Sequence, residues 1–314
     1  MKKYRGFYPS TNCINEVAYY LYIPEEKPKC IVQVAHGMCE HALMYSDFFR
    51  FLAEKGCVVC GADAVGHGLS VRCREELGFF GEKNGWICLV RDMKRLSDIV
   101  KKKYPKLPLF LIGHSMGSFI LREYLTWYGE GISGAVLIGT SDGFEGQRAL
   151  VDIARLMCLY DKGKYHNKLV MKAGCAFFCG KMHLLSDGWD WLSRSKIPQE
   201  YMTKNSFGYT AKGYYDIITL LDVISTPDWT DSVPKNLPIL LMSGLSDPVG
   251  NCGRGVAKLY KRLSGAGCKN LKVRLYKGAR HMLLHEINRK QVYSDIYNWL
   301  DAILKRGQNE KTVS

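Results

Sequence analysis

The sequence predicts an α/β fold in which a mostly parallel central sheet is flanked by helices and carries an inserted helical cap. Short apolar runs alternate with helical patterns up to about residue 142, and the alternation resumes after residue 230. Between residues 143 and 230 it stops and gives way to helical pieces rich in aromatic residues. Alternating strands and helices are typical of a parallel sheet covered on both faces. We therefore expect a core formed by residues 1–142 and 231–314, with residues 143–230 as the cap.

The first half of the chain supplies most of the expected sheet. Residues 16–23 alternate in polarity as an edge strand does. Apolar runs predict further strands at residues 31–35, 58–62, 109–112 and 135–140. Helical spacing predicts helices at residues 45–55, 85–103 and 116–128.

The second half completes the pattern. Helices are expected within the cap at residues 150–160 and 214–224, and no buried strand is expected there. Strands at residues 239–242 and 272–276 flank a helix at residues 256–263. The last helix carries its apolar side chains on one face: Val292, Ile296, Trp299, Leu300 and Ile303.

Composition excludes several classes of protein. The formal net charge is +14, but apart from Lys101-Lys102-Lys103 the basic residues are scattered, which argues against nucleic-acid binding. The start of the chain lacks the apolar segment of a signal peptide, so we expect the twelve cysteines to be reduced and the protein to be cytoplasmic. Lys172 and Lys181 interrupt the longest apolar stretch, which is therefore too short to span a membrane.

The motif Gly113-His114-Ser115-Met116-Gly117 connects an expected strand directly to an expected helix. In this strand-turn-helix context the central serine is held in a strained conformation with its hydroxyl clear of the sheet. Glycines are needed on both sides because side chains there would collide with the neighbouring strand and helix. We predict that Ser115 is a catalytic nucleophile.

A serine nucleophile needs a histidine base and a carboxylate that orients it, in the chain order serine, acid, histidine. Asp247 and His281 each follow a predicted core strand, at the sheet edge where catalytic groups gather. Either residue alone would more often be structural, but the joint pattern predicts a triad of Ser115, Asp247 and His281. The competing acids, none of which follows a core strand, are Asp222, Asp228 and Asp295.

Backbone amides are expected to complete the site. The amide of Met116 follows the nucleophile, and that of Met38 lies in the loop after an early strand, so both are predicted to form the oxyanion hole. We predict no cofactor and no metal. His36, Glu40 and His41 resemble metal ligands, and so does the pair of His281 and His285. That pair lacks the glutamate of the HExxH motif, because Met282 stands at its position, and His281 is already assigned to the triad. Cys57 and Cys60 lack a second ligand pair and are interpreted as core residues.

Five sequence blocks resemble the monoacylglycerol lipase and lysophospholipase group of α/β-hydrolases, also grouped with serine aminopeptidase-like hydrolases. These blocks are His36-Gly37-Met38-Cys39-Glu40-His41, Asp63-Ala64-Val65-Gly66-His67-Gly68-Leu69-Ser70, Gly113-His114-Ser115-Met116-Gly117, Ser246-Asp247-Pro248-Val249-Gly250 and Gly278-Ala279-Arg280-His281. The resemblance spans most of the chain. It implies the α/β-hydrolase fold and a serine esterase of lipid-like glycerol esters, with the triad and oxyanion donors named above. The sequence departs from the family at Cys39, often glycine or alanine, and at Met282, usually acidic or polar.

The expected substrate follows from the apolar character of the cap. Its aromatic and aliphatic side chains favour an acyl chain over a charged peptide, because apolar walls do not compensate for desolvating charge. The side chains considered as wall residues are Phe144, Leu156, Met157, Leu159, Tyr160, Met171, Phe177, Phe178, Trp189, Trp191, Phe207 and Tyr209.

We expect a carboxylic ester hydrolase that forms an acyl-enzyme, with a medium or long acyl chain under the cap. The alternatives are a peptidase or an acyltransferase using the same triad, and a non-catalytic lipid-binding protein. The positive charge is compatible with transient contacts to anionic lipid surfaces. No motif indicates an oligomeric state.

Overall fold

The structure is a computed structural model that describes residues 1–143, 146–166 and 188–313. Its centre is an eight-stranded sheet. The strand order is β1-β2-β4-β3-β5-β6-β7-β8. The strands are β1 (Lys2–Pro9), β2 (Glu16–Ile23), β3 (Cys30–Ala35), β4 (Cys57–Ala62), β5 (Leu109–His114), β6 (Gly134–Ile138), β7 (Ile239–Gly244) and β8 (Leu271–Tyr276). β1 and β2 run antiparallel to their neighbours and β3 to β8 are parallel. The predicted α/β-hydrolase fold is confirmed.

Helices cover both faces of this sheet. The helices used below are α1 (Ser46–Glu54), α2 (Gly85–Lys103), α3 (Met116–Tyr128), α4 (Gln147–Met157), α5 (Lys196–Asn205), α6 (Ala211–Ser225), α7 (Arg254–Gly265) and α8 (Arg289–Val313). Because β5 and β6 are buried on both faces, their residues alternate between two apolar clusters. Leu111 packs in the cluster that includes α2 and α3, and Ile112 packs in the cluster that includes α1 and α8.

The edge of the sheet differs from the sequence prediction. Residues 16–23 were expected to form an edge strand, but β2 lies between β1 and β4 and is almost entirely buried. The edge strand is β1, whose Lys2, Lys3 and Arg5 are exposed. Charged residues are common on edge strands because they discourage pairing with another chain. The same charges obscure the strand in the sequence.

A long segment joins β6 to β7, and we call residues 139–238 the β6–β7 connection. Its described part contains α4, α5 and α6, and within it no strand forms, as expected. Residues 144, 145 and 167–187 of the predicted cap lie outside the described residues. The division of the chain at residues 143 and 230 stays a prediction.

Helix α6 joins the β6–β7 connection to the rest of the molecule. Thr210 caps its start by accepting a hydrogen bond from the Gly213 amide at 3.0 Å. Its Ile217 and Leu220 are fully buried in the cluster shared with α2 and α3. The Asp216 carboxylate lies beside the first residues of α2, whose backbone at Gly85 and Trp86 partly offsets the rise in its pKa that burial causes. A Cβ atom at position 85 would lie 2.4 Å from this carboxylate, so only glycine fits there.

Arginines hold the two ends of the β6–β7 connection. The fully buried Arg122 of α3 donates to the carbonyl oxygen of Ser141 and, at 2.6 Å, to that of Ile224. Arg262 of α7 donates to Asp142 and to the carbonyl oxygen of Thr226.

Among the described residues, no helix is both long and apolar enough to cross a membrane.

Candidate active site

Ser115 stands at a sharp turn between β5 and α3. Its backbone has φ 51° and ψ −120°, a conformation that is strained for any residue except glycine. A Cβ atom at position 117 would lie 2.3 Å from the Ala35 carbonyl oxygen, and one at position 113 would lie 2.4 Å from that of Gly117. The expected steric reason for the two flanking glycines is therefore confirmed, and the turn holds the serine at the carboxyl edge of the sheet.

Asp247 and His281 meet at the same edge. Asp247 follows β7 and His281 follows β8, and His281 Nδ1 donates to Asp247 Oδ1 at 3.0 Å. Asp247 Oδ1 also accepts from the Val249 amide at 2.9 Å, so this buried carboxylate is held from two directions. With Nδ1 committed to Asp247, the other ring nitrogen of His281 remains for a second partner.

The imidazole of His281 lies against the residues that flank Ser115. Its ring centre is 4.9 Å from that of His114, which directly precedes the serine. A Cβ atom at position 139 would lie 3.0 Å from His281 Nδ1, and the neighbouring Ile138 carbonyl accepts from the Ser115 amide at 2.9 Å. The structure thus joins Asp247 to His281 and places the His281 ring against His114, the residue before Ser115.

The two predicted oxyanion donors border the same turn. Met116 is the first residue of α3, where helix amides lack an intrahelical acceptor and the helix dipole favours negative charge. Met38 lies in the loop of residues 36–41 after β3, which we call the oxyanion loop. Neither the Met38 amide nor the Met116 amide donates to an acceptor within the described ranges.

A carboxylate shapes the oxyanion loop from inside. Glu40 accepts from the Gly37 amide at 2.8 Å and from the Tyr45 hydroxyl. A Cβ atom at position 37 would lie 3.0 Å from the Glu40 carboxylate, so the loop closes tightly. Cys39 has φ 60°, an unusual left-handed conformation for a residue that is not glycine.

His114 connects this carboxylate to the loop that carries His281. Because the Tyr45 proton goes to Glu40, the tyrosine oxygen accepts from His114 Nδ1 at 2.8 Å. The other nitrogen, Nε2, faces the carbonyl oxygen of His281 at 3.3 Å. Both nitrogens face acceptors, as in a protonated imidazole.

The electrostatics agree with a charged pair of His114 and Glu40. Burial by itself would lower the pKa of His114, but the Glu40 carboxylate outweighs it and the pKa is raised. Burial would raise the pKa of Glu40, but His114 outweighs it and that pKa is lowered well below its usual range. Sequence reasoning assigned no role to Tyr45 or His114. The only signal was the histidine inside the serine motif.

The other polar residues near the oxyanion loop are occupied by structural bonds. His36 Nδ1 donates to the Gly37 carbonyl at 2.8 Å, and its Nε2 accepts from the Ala64 amide at 2.9 Å. Burial lowers the pKa of His36, which agrees with the neutral ring that these bonds require. Asp63 accepts from the Ala42 amide at 2.9 Å. In the described part of the chain, no three His, Cys, Asp or Glu side chains cluster as metal ligands would.

The β6–β7 connection forms one wall of the site at the histidine loop, residues 279–286. Trp191 is buried with its ring centre 5.4 Å from that of His281. The Met282 amide donates to the Leu192 carbonyl at 2.7 Å. Ion pairs join Arg280 to Asp190 at 2.8 Å and Arg194 to Glu286 at 3.0 Å.

The predicted wall residues differ in their exposure to solvent, and some lie outside the described residues. Trp191 and Tyr209 are buried, and Met157, Trp189 and Phe207 are half-buried. Leu156, Leu159 and Tyr160 are 66%, 80% and 72% exposed, so they do not line an enclosed tunnel. The remaining four, Phe144, Met171, Phe177 and Phe178, lie outside the described residues.

Comparison with known proteins identifies the family of this chain. Residues 26–288 match the family model described as "Serine aminopeptidase, S33". The chain is 28% identical to the monoglyceride lipase of Homo sapiens over 298 residues, which covers 91% of this chain and 88% of that protein.

Two solved structures illustrate the similarity. A thermostable carboxyl esterase from Bacillus coagulans, solved in complex with glycerol, has a TM-score of 0.88 and 28% identity over 97% of this chain and 99% of its own. A soluble variant of the Saccharomyces cerevisiae monoglyceride lipase shares the fold, with a TM-score of 0.74 and 17% identity over 95% of this chain and 94% of its own. The chain belongs to the serine aminopeptidase S33 family, has the α/β-hydrolase fold and is a serine hydrolase.

Proposed function

We propose that this enzyme hydrolyses lipid-like carboxylic esters, of the monoacylglycerol or lysophospholipid type, through an acyl-enzyme intermediate. The observation that carries the proposal is the His281–Asp247 hydrogen bond of 3.0 Å beside the strained turn at Ser115. The human relative is named a monoglyceride lipase, and the Bacillus coagulans neighbour is a carboxyl esterase that holds glycerol. Both names support an ester rather than a peptide substrate.

The proposed first half-reaction forms the acyl-enzyme. Ser115 Oγ attacks the ester carbonyl carbon while His281 Nε2 accepts the serine proton, and Asp247 stabilises the resulting imidazolium. The carbonyl oxygen becomes an oxyanion, which accepts hydrogen bonds from the amides of Met38 and Met116. When the carbon–oxygen bond of the ester breaks, His281 returns the proton to the leaving alcohol. The acyl group stays on Ser115.

The second half-reaction repeats these roles with water. His281 takes a proton from the water that attacks the acyl carbon, the same two amides bind the new oxyanion, and the proton returns to Ser115 Oγ as the acid leaves. Loss of one oxyanion donor raises the barrier by about 3 to 4 kcal/mol in related chemistry. The amides of Met38 and Met116 are therefore as important to the proposal as the triad.

The proposed substrate site lies beneath residues 143–230, which we propose to act as a cap. Buried Trp191 beside His281 supplies an apolar surface at the reacting centre, which suits an acyl ester. Exposed Leu156, Leu159 and Tyr160, at and beyond the end of α4, offer an apolar surface for transient contact with lipid. The net charge of +14 favours anionic lipid.

We also propose a cytoplasmic location, which the cysteines support. The cysteines that the structure describes are free thiols. Cys30 Sγ and Cys57 Sγ lie 3.4 Å apart on neighbouring strands, well beyond the roughly 2.05 Å of a disulfide bond. Thiols are maintained in this form in reducing compartments.

The test combines covalent labelling with a substrate series. A fluorophosphonate probe is expected to label the purified protein and to fail with Ser115→Ala, because the probe needs an activated serine. His281→Ala should label far more slowly. Turnover of p-nitrophenyl esters and monoacylglycerols should increase from acetate towards octanoate and longer chains. Labelling that persists in Ser115→Ala would contradict the proposed nucleophile, and turnover confined to acetate would contradict the acyl site.

A further inference from the structure

Tyr209 is a buried residue of the β6–β7 connection whose hydroxyl oxygen lies 3.4 Å from Met116 Sδ, beside the turn at Ser115. It lies between α5 and α6 and is fully buried. Its ring centre is 5.3 Å from that of Phe80, 5.8 Å from that of Phe207 and 5.4 Å from that of His67. These ring contacts hold the side chain independently of its hydroxyl.

The hydroxyl has a defined hydrogen-bonding role. His67 Nδ1 lies 3.2 Å from the Val65 carbonyl, which only accepts, so Nδ1 carries the proton. Burial lowers the pKa of His67 well below its usual value, so the ring is neutral and its Nε2 is an acceptor. The Tyr209 hydroxyl therefore donates to His67 Nε2. Its oxygen remains available to accept.

That oxygen lies beside the oxyanion loop. Burial raises the pKa of Tyr209 well above its usual value, and the nearby backbone of Cys39 opposes the shift. Cys39 Sγ donates in turn to the carbonyl oxygen of Phe207 at 3.0 Å. The same phenol oxygen is 3.4 Å from Met116 Sδ. Residues 207 and 209 of the β6–β7 connection thus contact Cys39 and Met116, respectively.

These contacts border both proposed oxyanion donors. Because Cys39 directly follows Met38, the bond of its thiol to the Phe207 carbonyl limits movement of the loop beside the Met38 donor. The left-handed conformation of Cys39 is costly for a residue other than glycine, so it needs such restraints to persist. We propose that Tyr209 is a positioning residue for the oxyanion hole. This inference rests on the proposed function, in which the amides of Met38 and Met116 bind the oxyanion.

The test removes the hydroxyl and keeps the ring. In Tyr209→Phe we expect kcat for a p-nitrophenyl ester to fall about tenfold with KM within about twofold, since only transition-state binding is weakened. The second-order rate of fluorophosphonate labelling and the affinity of a boronic acid that forms a tetrahedral adduct on serine should fall by about the same factor. A merely structural role would not produce this split between kcat and KM.

Tyr124→Phe is the matched control. Tyr124 is equally buried and its hydroxyl donates to Ser97 Oγ at 3.2 Å, between α3 and α2. It should leave kcat, labelling rate and boronic acid affinity unchanged while causing a similar shift in melting temperature. Equal kinetic losses in the two variants would assign Tyr209 a structural role only and would overturn the proposal.

The remaining outcomes are also decisive. Unchanged kcat, labelling rate and boronic acid affinity in folded Tyr209→Phe would overturn the role of Tyr209 while leaving the proposed function intact. Failure of the wild-type protein to label at Ser115 would overturn the proposed function and this inference together. If Tyr209→Phe does not fold, Cys39→Ala tests whether residues 207–209 position the oxyanion loop, because it removes the thiol that bonds the Phe207 carbonyl. It should give a smaller loss in the same direction, and full activity and affinity would overturn the proposal.

Discussion

The β6–β7 connection contacts the two loops of the site in different ways. At the histidine loop it uses a backbone hydrogen bond and two ion pairs, and Ser193 Oγ adds a bond to the His285 carbonyl at 3.2 Å. At the oxyanion loop it uses the Tyr209 hydroxyl and the Cys39 thiol. The first set of contacts includes two ion pairs, whereas the second is formed by uncharged groups, a thiol bonded to the Phe207 carbonyl and one phenol held among aromatic rings.

The two loops should therefore differ in their sensitivity to single substitutions. Several contacts hold the histidine loop, so the loss of one leaves the others in place. The oxyanion loop has no ion pair of this kind, and removal of the Tyr209 hydroxyl leaves the buried His67 Nε2 without its donor. We therefore expect the oxyanion loop to be more sensitive to changes in the β6–β7 connection than the histidine loop.

Substitution of Asp247 tests the chemistry of the histidine loop and should reduce activity more than any other substitution proposed below. Asp247→Asn removes the charge that stabilises the His281 imidazolium and favours the wrong ring tautomer, so kcat should fall about 10⁴-fold. Steady-state kinetics with a p-nitrophenyl ester measures this loss. The melting temperature should change little because asparagine has nearly the same shape. A loss of less than about tenfold would show that Asp247 is not the orienting acid.

Substitution of Glu40 removes one side of the contact that His114 makes between the oxyanion loop and the histidine loop. Glu40→Gln leaves the His114 imidazolium without its partner carboxylate and should lower the free energy of unfolding by about 3 kcal/mol. Urea unfolding of both proteins measures the difference. Activity should also fall, because Glu40 holds the Gly37 amide.

The pH dependence of that difference gives an internal control. The pKa of His114 is raised in the folded protein, so its contribution is complete below the unfolded value of about 6.5 and is lost as pH rises through the folded pKa. The pKa of Glu40 is lowered, so its contribution is present above about 4.3 and is lost as pH falls through the folded pKa. The difference between wild type and Glu40→Gln should therefore be larger at about pH 6 than at about pH 9. A difference that increases with pH would contradict the charged pair.

Substitution of Arg280 or Arg194 tests whether several contacts hold the histidine loop, and should have the smallest effect on kcat. Arg280→Ala removes a partly exposed ion pair and should lower the free energy of unfolding by about 1 kcal/mol or less, whereas Arg194→Ala takes a guanidinium from the buried Glu286 and should lower it by more. Glu286 still accepts from the Arg280 amide at 2.9 Å, and the Met282–Leu192 backbone bond remains. We expect kcat to change less than about threefold in either variant, since the loop stays in place. A tenfold loss of kcat in one single variant would remove the contrast between the two loops.

The sequence predicted the parts of the molecule that depend on local pattern. Residues 85–103 form α2 with the expected bounds, and Ser115, Asp247 and His281 follow β5, β7 and β8 as expected. Strand ends are readable because apolar runs and the residues just after them are contiguous in the chain. The catalytic roles of these residues stay predictions.

Contacts between distant residues were not predictable. Tyr209 and His67 are 142 residues apart, and Tyr45 and His114 are 69 apart, so no spacing rule joins them. Hydrophobicity also misled the prediction at Leu159, because an apolar side chain in the β6–β7 connection need not face inward. Such features depend on tertiary packing, which a single sequence does not display.

The carboxylate of Asp216 at the start of α2 has a consequence for protein engineering. Exchanging the β6–β7 connection for that of another hydrolase would remove the carboxylate at the start of α2 and leave an empty space beside Gly85. The segment is thus not an interchangeable module. A chimera would retain a well-formed core only if the donor sequence also placed a short acidic side chain opposite residue 85.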